Sequence, residues 1–222
     1  MIKVECVVVK FYFGSSERPK FTLAAIRRRP LLTDLVKANN IVRTMGNGPA
    51  YISHIGIRAR KYREMLRWYQ DVMGATVQHE NEFLTFMTFD DEHHRMVIFE
   101  DPETVERPAT ASGVDHIGYG VRDHAHLVEI YERLRDMGVK PSTQVNHRFT
   151  TSLYYHDPDG NEVEFSVDNL PSKEACFEFV KSEDMAEIGR PPFGYEFDPE
   201  ELARLYHSGA DAVQMARIGI PG

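Results

Sequence analysis

The sequence predicts an α+β protein: two βαβββ modules whose sheets pair around a common cleft, followed by a C-terminal helical tail. Three observations predict it. The first is an internal repeat. ISHIGIRARKYREMLRWYQDVMGA (52–75) matches VDHIGYGVRDHAHLVEIYERLRDMGV (114–139), each running from His-Ile-Gly through a helix-period stretch to Met-Gly. The second is that three strand-like runs follow each helical stretch. The third is SLYYHDPDGNEVEF (152–165), where Asp157-Pro158-Asp159-Gly160 is a turn between two β-rich runs. Proline pre-sets φ there and glycine accepts a positive φ.

Taken in order, residues 1–48 form an N-terminal extension. Residues 1–44 carry nine Lys or Arg and three Asp or Glu, a net +6 that leaves −14 for the rest. This shift and the breakers in TMGNGPA (44–50) set the boundary. The segment reads as a strand plus a short basic helix, or as an extension from an upstream start with Met45 opening the repeat-bearing domain. The domain proper is 49–169, with modules at about 51–100 and 114–168. Each module opens with a strand, 51–58 or 114–121. In the first helix Tyr62, Met65, Leu66, Tyr69, Val72 and Met73 share a face; in the second Leu127, Ile130, Tyr131, Leu134 and Met137 do. Gly74 and Gly138 stop the helices. Strands are expected at 75–79, 82–90 and 94–100, and at 141–146, 149–156 and 161–167. The tail, 170–222, has helical signals at 172–182 and from Pro199 to Tyr206, where Asp198 is an N-cap before proline. It packs on the open sheet or forms an oligomer contact. The stretch GRPPFGYEFDPEEL within it has no assigned role.

Composition excludes several classes. At 222 residues the chain can bury a sizeable core, and a net charge of −8 argues against nucleic acid as a partner. Two cysteines, Cys6 and Cys176, are too few for a disulfide framework and suit a cytoplasmic location. No apolar run reaches the length of a membrane span. Glu5 and Lys10 interrupt the only signal-like stretch.

Past the turn, Glu162, Glu164 and Ser166 share one strand parity; Val163, Phe165 and Val167 share the other. The plain reading is a strand with its polar face in water. His54 and His116, at equivalent places in the repeat, supply another. Two imidazoles and Glu164 converging in one cleft make a 2-His-1-carboxylate set, which suits a non-haem Fe(II) site with open positions for dioxygen chemistry.

Over about residues 51–168 the sequence resembles the vicinal oxygen chelate superfamily (glyoxalase, bleomycin resistance and dioxygenase proteins), and within it the small type I extradiol ring-cleaving dioxygenases. The specific match is VNHRFTTSLYYHDPDGNEVE, from His147 through Leu153-Tyr154 and Asp157-Pro158 to Gly160 and Glu164. The resemblance implies His54, His116 and Glu164 as metal ligands around the metal-binding cleft. It implies His147 and Tyr154 beside the catecholic oxygens or dioxygen, and an acid-base histidine in HHRMVIF. There His94 is best placed, His93 is the adjacent alternative, and Val97 stands where alanine is usual. The implied cofactor is Fe(II), with Mn(II) also suited to these donors. The implied partners are a small aromatic diol, of the catechol or 2,3-dihydroxybiphenyl type, and O2. The implied role is aromatic hydrocarbon catabolism by a homo-oligomer.

Many members of the family carry four modules, and two are visible here. Within the same superfamily, a fosfomycin-resistance-type thiol transferase also uses two His and one Glu, but needs a cationic phosphonate pocket. Glyoxalase-like enzymes use a further Glu or Gln, for which Glu100 is available. A metal-free drug-binding protein of the bleomycin-resistance kind needs no ligand set at all.

Overall fold

A computed structural model describes residues 48–108, 110–188 and 193–221. The chain divides into two units, Met1–Ala50 and Tyr51–Gly222. The strand and basic helix expected in residues 1–44 lie outside the described residues. Within the second unit, module one runs β1 (Ile55–Ala59), α1 (Tyr62–Met73), β2 (Thr76–Glu80), β3 (Leu84–Thr88) and β4 (Met96–Glu100). Module two runs β5 (His116–Gly120), α2 (His124–Asp136), β6 (Thr143–Asn146), β7 (Thr150–His156) and β8 (Glu162–Asp168). The tail adds α3 (Lys173–Lys181), α4 (Asp184–Ile188), β9 (Tyr195–Glu196), α5 (Pro199–His207) and α6 (Ala212–Met215).

The repeat is carried into topology. One sheet has the order β1-β4-β3-β2 and the other β5-β8-β7-β6-β9. In each, the first strand pairs parallel with the last of its module, and the remaining pairs are antiparallel. The parallel pair requires the helical crossover between them. The helices bury the faces their periodicity marks: Tyr62, Met65, Leu66, Tyr69 and Val72 in α1, and Leu127, Val128, Ile130, Tyr131 and Leu134 in α2. Met137, expected on that face, is exposed because α2 ends at Asp136. A fully buried Leu or Met contributes about 1.5–3 kcal/mol relative to leaving it in water. The tail shares this core through Phe197, Leu202, Ala203, Met215 and Ile218, so it is not a separate body. No helix among the described residues is long and apolar enough to cross a membrane.

The modules lock through the ends of α1. Its N-cap, Lys61, has no side-chain cap. The Asp159 carboxylate of the module-two turn accepts the N–H groups of Arg60 (2.7 Å) and Lys61 (3.2 Å), and the Lys61 ammonium donates to the Pro158 carbonyl (2.7 Å). Beside it, the buried Tyr69 hydroxyl donates to Asp157 at 3.1 Å. At the other end Arg133 of α2 donates to the Asp71 and Val72 carbonyls. An anion at the start and a cation at the end also oppose the helix dipole favourably. Hydrogen bonds to a charged group contribute about 1.5–3 kcal/mol. Asp159→Ala is therefore expected to cost about 1–2 kcal/mol, with water replacing part of the loss. That is several degrees in melting temperature at this chain length, ~2–4 °C per kcal/mol. Asp159→Asn, which keeps an acceptor oxygen, should cost less. An unchanged melting temperature in the alanine variant would show that the turn merely rests on α1.

Candidate functional site

On β5 and β8 the parallel register sets Gly118 beside Glu164 and His116 beside Glu162. On β7, Tyr154 pairs with Glu164 from the other side. Side chains of register partners point to the same face, so His116, Tyr154 and Glu164 rise together from the face opposite α2. A Cβ on Gly118 would stand 3.0 Å from Glu164 Oε2. The missing side chain is what lets the carboxylate lean over β5 toward His116, and it explains the glycine of the His-Ile-Gly repeat in this copy.

The resulting chain of contacts is continuous. His116 Nε2 lies 3.2 Å from Glu164 Oε2, the Tyr154 hydroxyl donates to Glu164 Oε1 at 2.9 Å, and His147 Nε2 lies 3.1 Å from that hydroxyl. His147 Nδ1 donates to the Phe193 carbonyl. Glu164 is only 12 % exposed. Burial lowers the His116 pKa, but the bond to Asp115 and the charge of Glu164 outweigh it and leave it raised. Burial, then the Glu164 charge, pushes the Tyr154 phenol well up. Tyr154 is therefore held as a neutral donor.

His116 Nδ1 faces Asp115 Oδ2 at 3.0 Å. In the first copy Ser53 Oγ lies 3.3 Å from His54 Nδ1. In both copies the residue before the histidine engages Nδ1, and in the second copy Nε2 is left facing Glu164, the arrangement that orients metal-binding imidazoles. Reading SHIG against DHIG for a polar residue at that place would have found Asp115, which motif matching alone passed over.

The other two candidates stand in module one. His54 precedes β1, and His94 precedes β4 instead of lying on it. Their rings are 4.8 Å apart, and His94 stacks on Phe86 at 4.6 Å. Burial, then the neighbouring His93 and His54, hold the His94 pKa below the usual histidine value. The structure thus brings together His116, Glu164, Tyr154 and His147 in one group and His54 and His94 in another. Among the described residues the one set of three ligand-type side chains with donor atoms within 4.8 Å of each other is Asp115, His116 and Glu162. It shares His116 with the expected set. Asp115, however, meets Nδ1 and is 91 % exposed, whereas Nε2 faces the nearly buried Glu164.

The donors fit a metal ion. Two ligands each about 2.1 Å from an ion and at right angles stand about 3 Å apart, close to the His116–Glu164 separation, and Gly118 leaves the carboxylate its place. A hollow of about 200 Å³ between β1 and β5 is lined by Gly56, Arg58, Asp115, His116 and Glu162. A larger one, about 580 Å³, lies at the ends of β5 and β8 near Arg122, Asp168 and Lys173 and holds none of the candidate residues.

The family model for the Glyoxalase/Bleomycin resistance protein/Dioxygenase superfamily matches residues 51–165. The chain belongs to that superfamily. It is 36 % identical to biphenyl-2,3-diol 1,2-dioxygenase 3 of Rhodococcus globerulus over 71 % of this chain and 83 % of that protein. It is 34 % identical to biphenyl-2,3-diol 1,2-dioxygenase 2 of the same organism, over 71 % and 82 %. A catechol-2,3-dioxygenase of Bacillus subtilis is 27 % identical over 52 % of this chain and 42 % of its own length.

Proposed function

We propose that this chain is an Fe(II)-dependent extradiol dioxygenase that opens the ring of a small aromatic diol related to biphenyl-2,3-diol. The observation that carries the reading is the unbroken line from His147 through Tyr154 and Glu164 to His116. The proposed ligands are His116, Glu164 and, from its place in the repeat, His54. When bound, the metal gives both diol oxygens and dioxygen one binding point and acts on them as a Lewis acid. Mn(II) fits the same donors.

The protein's own residues divide the remaining work. Tyr154, kept as a phenol, hydrogen-bonds a diol oxygen: its own hydrogen is held by Glu164 or His147, and its oxygen accepts from the diol hydroxyl. His94, with its lone pair available near neutral pH, accepts a hydroxyl proton and later returns it. The face of module one that carries Leu84, Phe86, Val97 and Phe99 gives an aromatic ring an apolar wall, since those four are register partners on β3 and β4. A thiol transferase acting on a phosphonate needs free cations. The two arginines at the hollow are engaged: Arg58 with Asp101, and Arg107 with the Val114 and Ala111 carbonyls. The reading places the enzyme in the cytoplasm as a homo-oligomer, supported by the low cysteine count and by exposed Ile52, Val105 and Val114.

The test is anaerobic purification with Fe(II), then a panel of diols followed by oxygen uptake and by the visible absorbance of the ring-opened product. One O2 consumed per diol, with biphenyl-2,3-diol among the best substrates, is the expected result. Iron-loaded protein that consumes no oxygen with any diol would end the proposal.

A further inference from the structure

We infer that the C-terminal tail is part of the active site, and that the backbone carbonyl of Phe193 sets the tautomer of His147. The inference rests on the proposed function for its catalytic consequence, but not for its geometry. A carbonyl oxygen only accepts hydrogen bonds, so the contact between it and His147 requires the hydrogen on Nδ1. A neutral His147 then presents a bare Nε2 to the Tyr154 hydroxyl 3.1 Å away. The single hydrogen of Tyr154 has two acceptors in reach, His147 Nε2 and Glu164 Oε1. The tail therefore decides whether Tyr154 has a proton acceptor behind it as it engages substrate. With the opposite tautomer Nε2 would carry a hydrogen and could only donate.

The tail is built to hold that carbonyl in place. β9 pairs with β6 in the register Asn146↔Tyr195 and Val145↔Glu196, immediately before His147. Phe193 has a φ of 61° and Gly194 a φ of 143°. A Cβ on Gly194 would stand 2.4 Å from the Asn146 carbonyl oxygen, so no other residue allows this approach. Asn146 is fully buried and donates to the Ala216 and Ile218 carbonyls at 2.9 and 2.8 Å. Its Oδ1 accepts from the Arg148 N–H at 2.8 Å and from Asn169 at 3.1 Å. Both neighbours of His147 in sequence are thus fixed, one of them to the last residues of the chain. The motif FGYEF, without a role from sequence, is the piece that reaches the site.

The experiment uses the full chain labelled with ¹⁵N-histidine, read by long-range ¹H–¹⁵N correlation without added metal, with His147→Phe to assign the ring. Wild type should show His147 protonated at Nδ1. Gly194→Ala should shift the ring toward the Nε2–H form. In the iron-loaded enzyme it should lower kcat about tenfold with KM for the diol within twofold, and the loss should vanish in a His147→Phe background. If Gly194→Ala does not fold, Phe193→Gly, which frees the same carbonyl, should give a mixture of tautomers. An Nε2–H tautomer in wild type, or equal losses in both backgrounds, overturns the inference. Should no diol be cleaved while the tautomer still depends on Gly194, the proposed reaction fails and the positioning stands.

Discussion

Glu164→Gln is expected to fold and to lose its metal. The side chain keeps its volume, so the space over Gly118 stays filled. Its amide oxygen can still accept from Tyr154. What disappears is the charge and one ligand atom facing His116 Nε2. Residues that only orient a ligand change metal affinity by about 10–100-fold. Loss of a ligand should therefore exceed about a hundredfold, and turnover should fall with metal content. The unfolding temperature of the metal-free variant should stay near that of metal-free wild type, because Glu164 was a nearly buried charge with no lysine or arginine beside it among the described residues. Glu162→Gln is the discriminating control. Glu162 belongs to the Asp115–His116–Glu162 group, and a metal bound there would leave with Glu162 and survive the change at Glu164. Iron content of the two purified variants decides between the sets.

Much of this was legible because the repeat encodes it. Two helices of the same period and two copies of His-Ile-Gly require two similar supersecondary units, and an alternating strand after the Asp-Pro-Asp-Gly turn marks Glu164 as lying on one face. What the repeat does not encode is what meets across it. The turn was readable as a turn, but its role at the start of α1 joins Asp159 to Arg60, 99 positions away. His54 and His94 were expected on strands and precede them. The parallel ladder of β1 and β4 begins at Ile55↔Met96, with the Ile55 N–H donating to the Arg95 carbonyl, so the residues just before both strands come out at the same corner. That is why the two rings meet, and no local pattern predicts it. The contact from Phe193 to His147 spans 46 positions and uses a backbone atom, which leaves no residue-type signature at all.

The same corner governs the expected behaviour of His94. His94→Phe keeps a ring against Phe86 and removes only the nitrogens, so packing and metal content should hardly change. The diol should still bind, since neither apolar contact nor metal coordination needs that proton. Turnover should fall by about two to four orders of magnitude, the span of a positioned acid-base group. His93→Phe is the matched control. Its ring is 74 % exposed and paired with Glu92 at 3.3 Å, although it also touches His94 with centroids 4.4 Å apart. It should leave the rate within a few-fold. If the losses are reversed, the proton belongs to His93 and its neighbour only fills the space against Phe86. If both variants turn over normally, His93 and His94 are only a polar strand entrance, and the proton comes from His147 or from solvent.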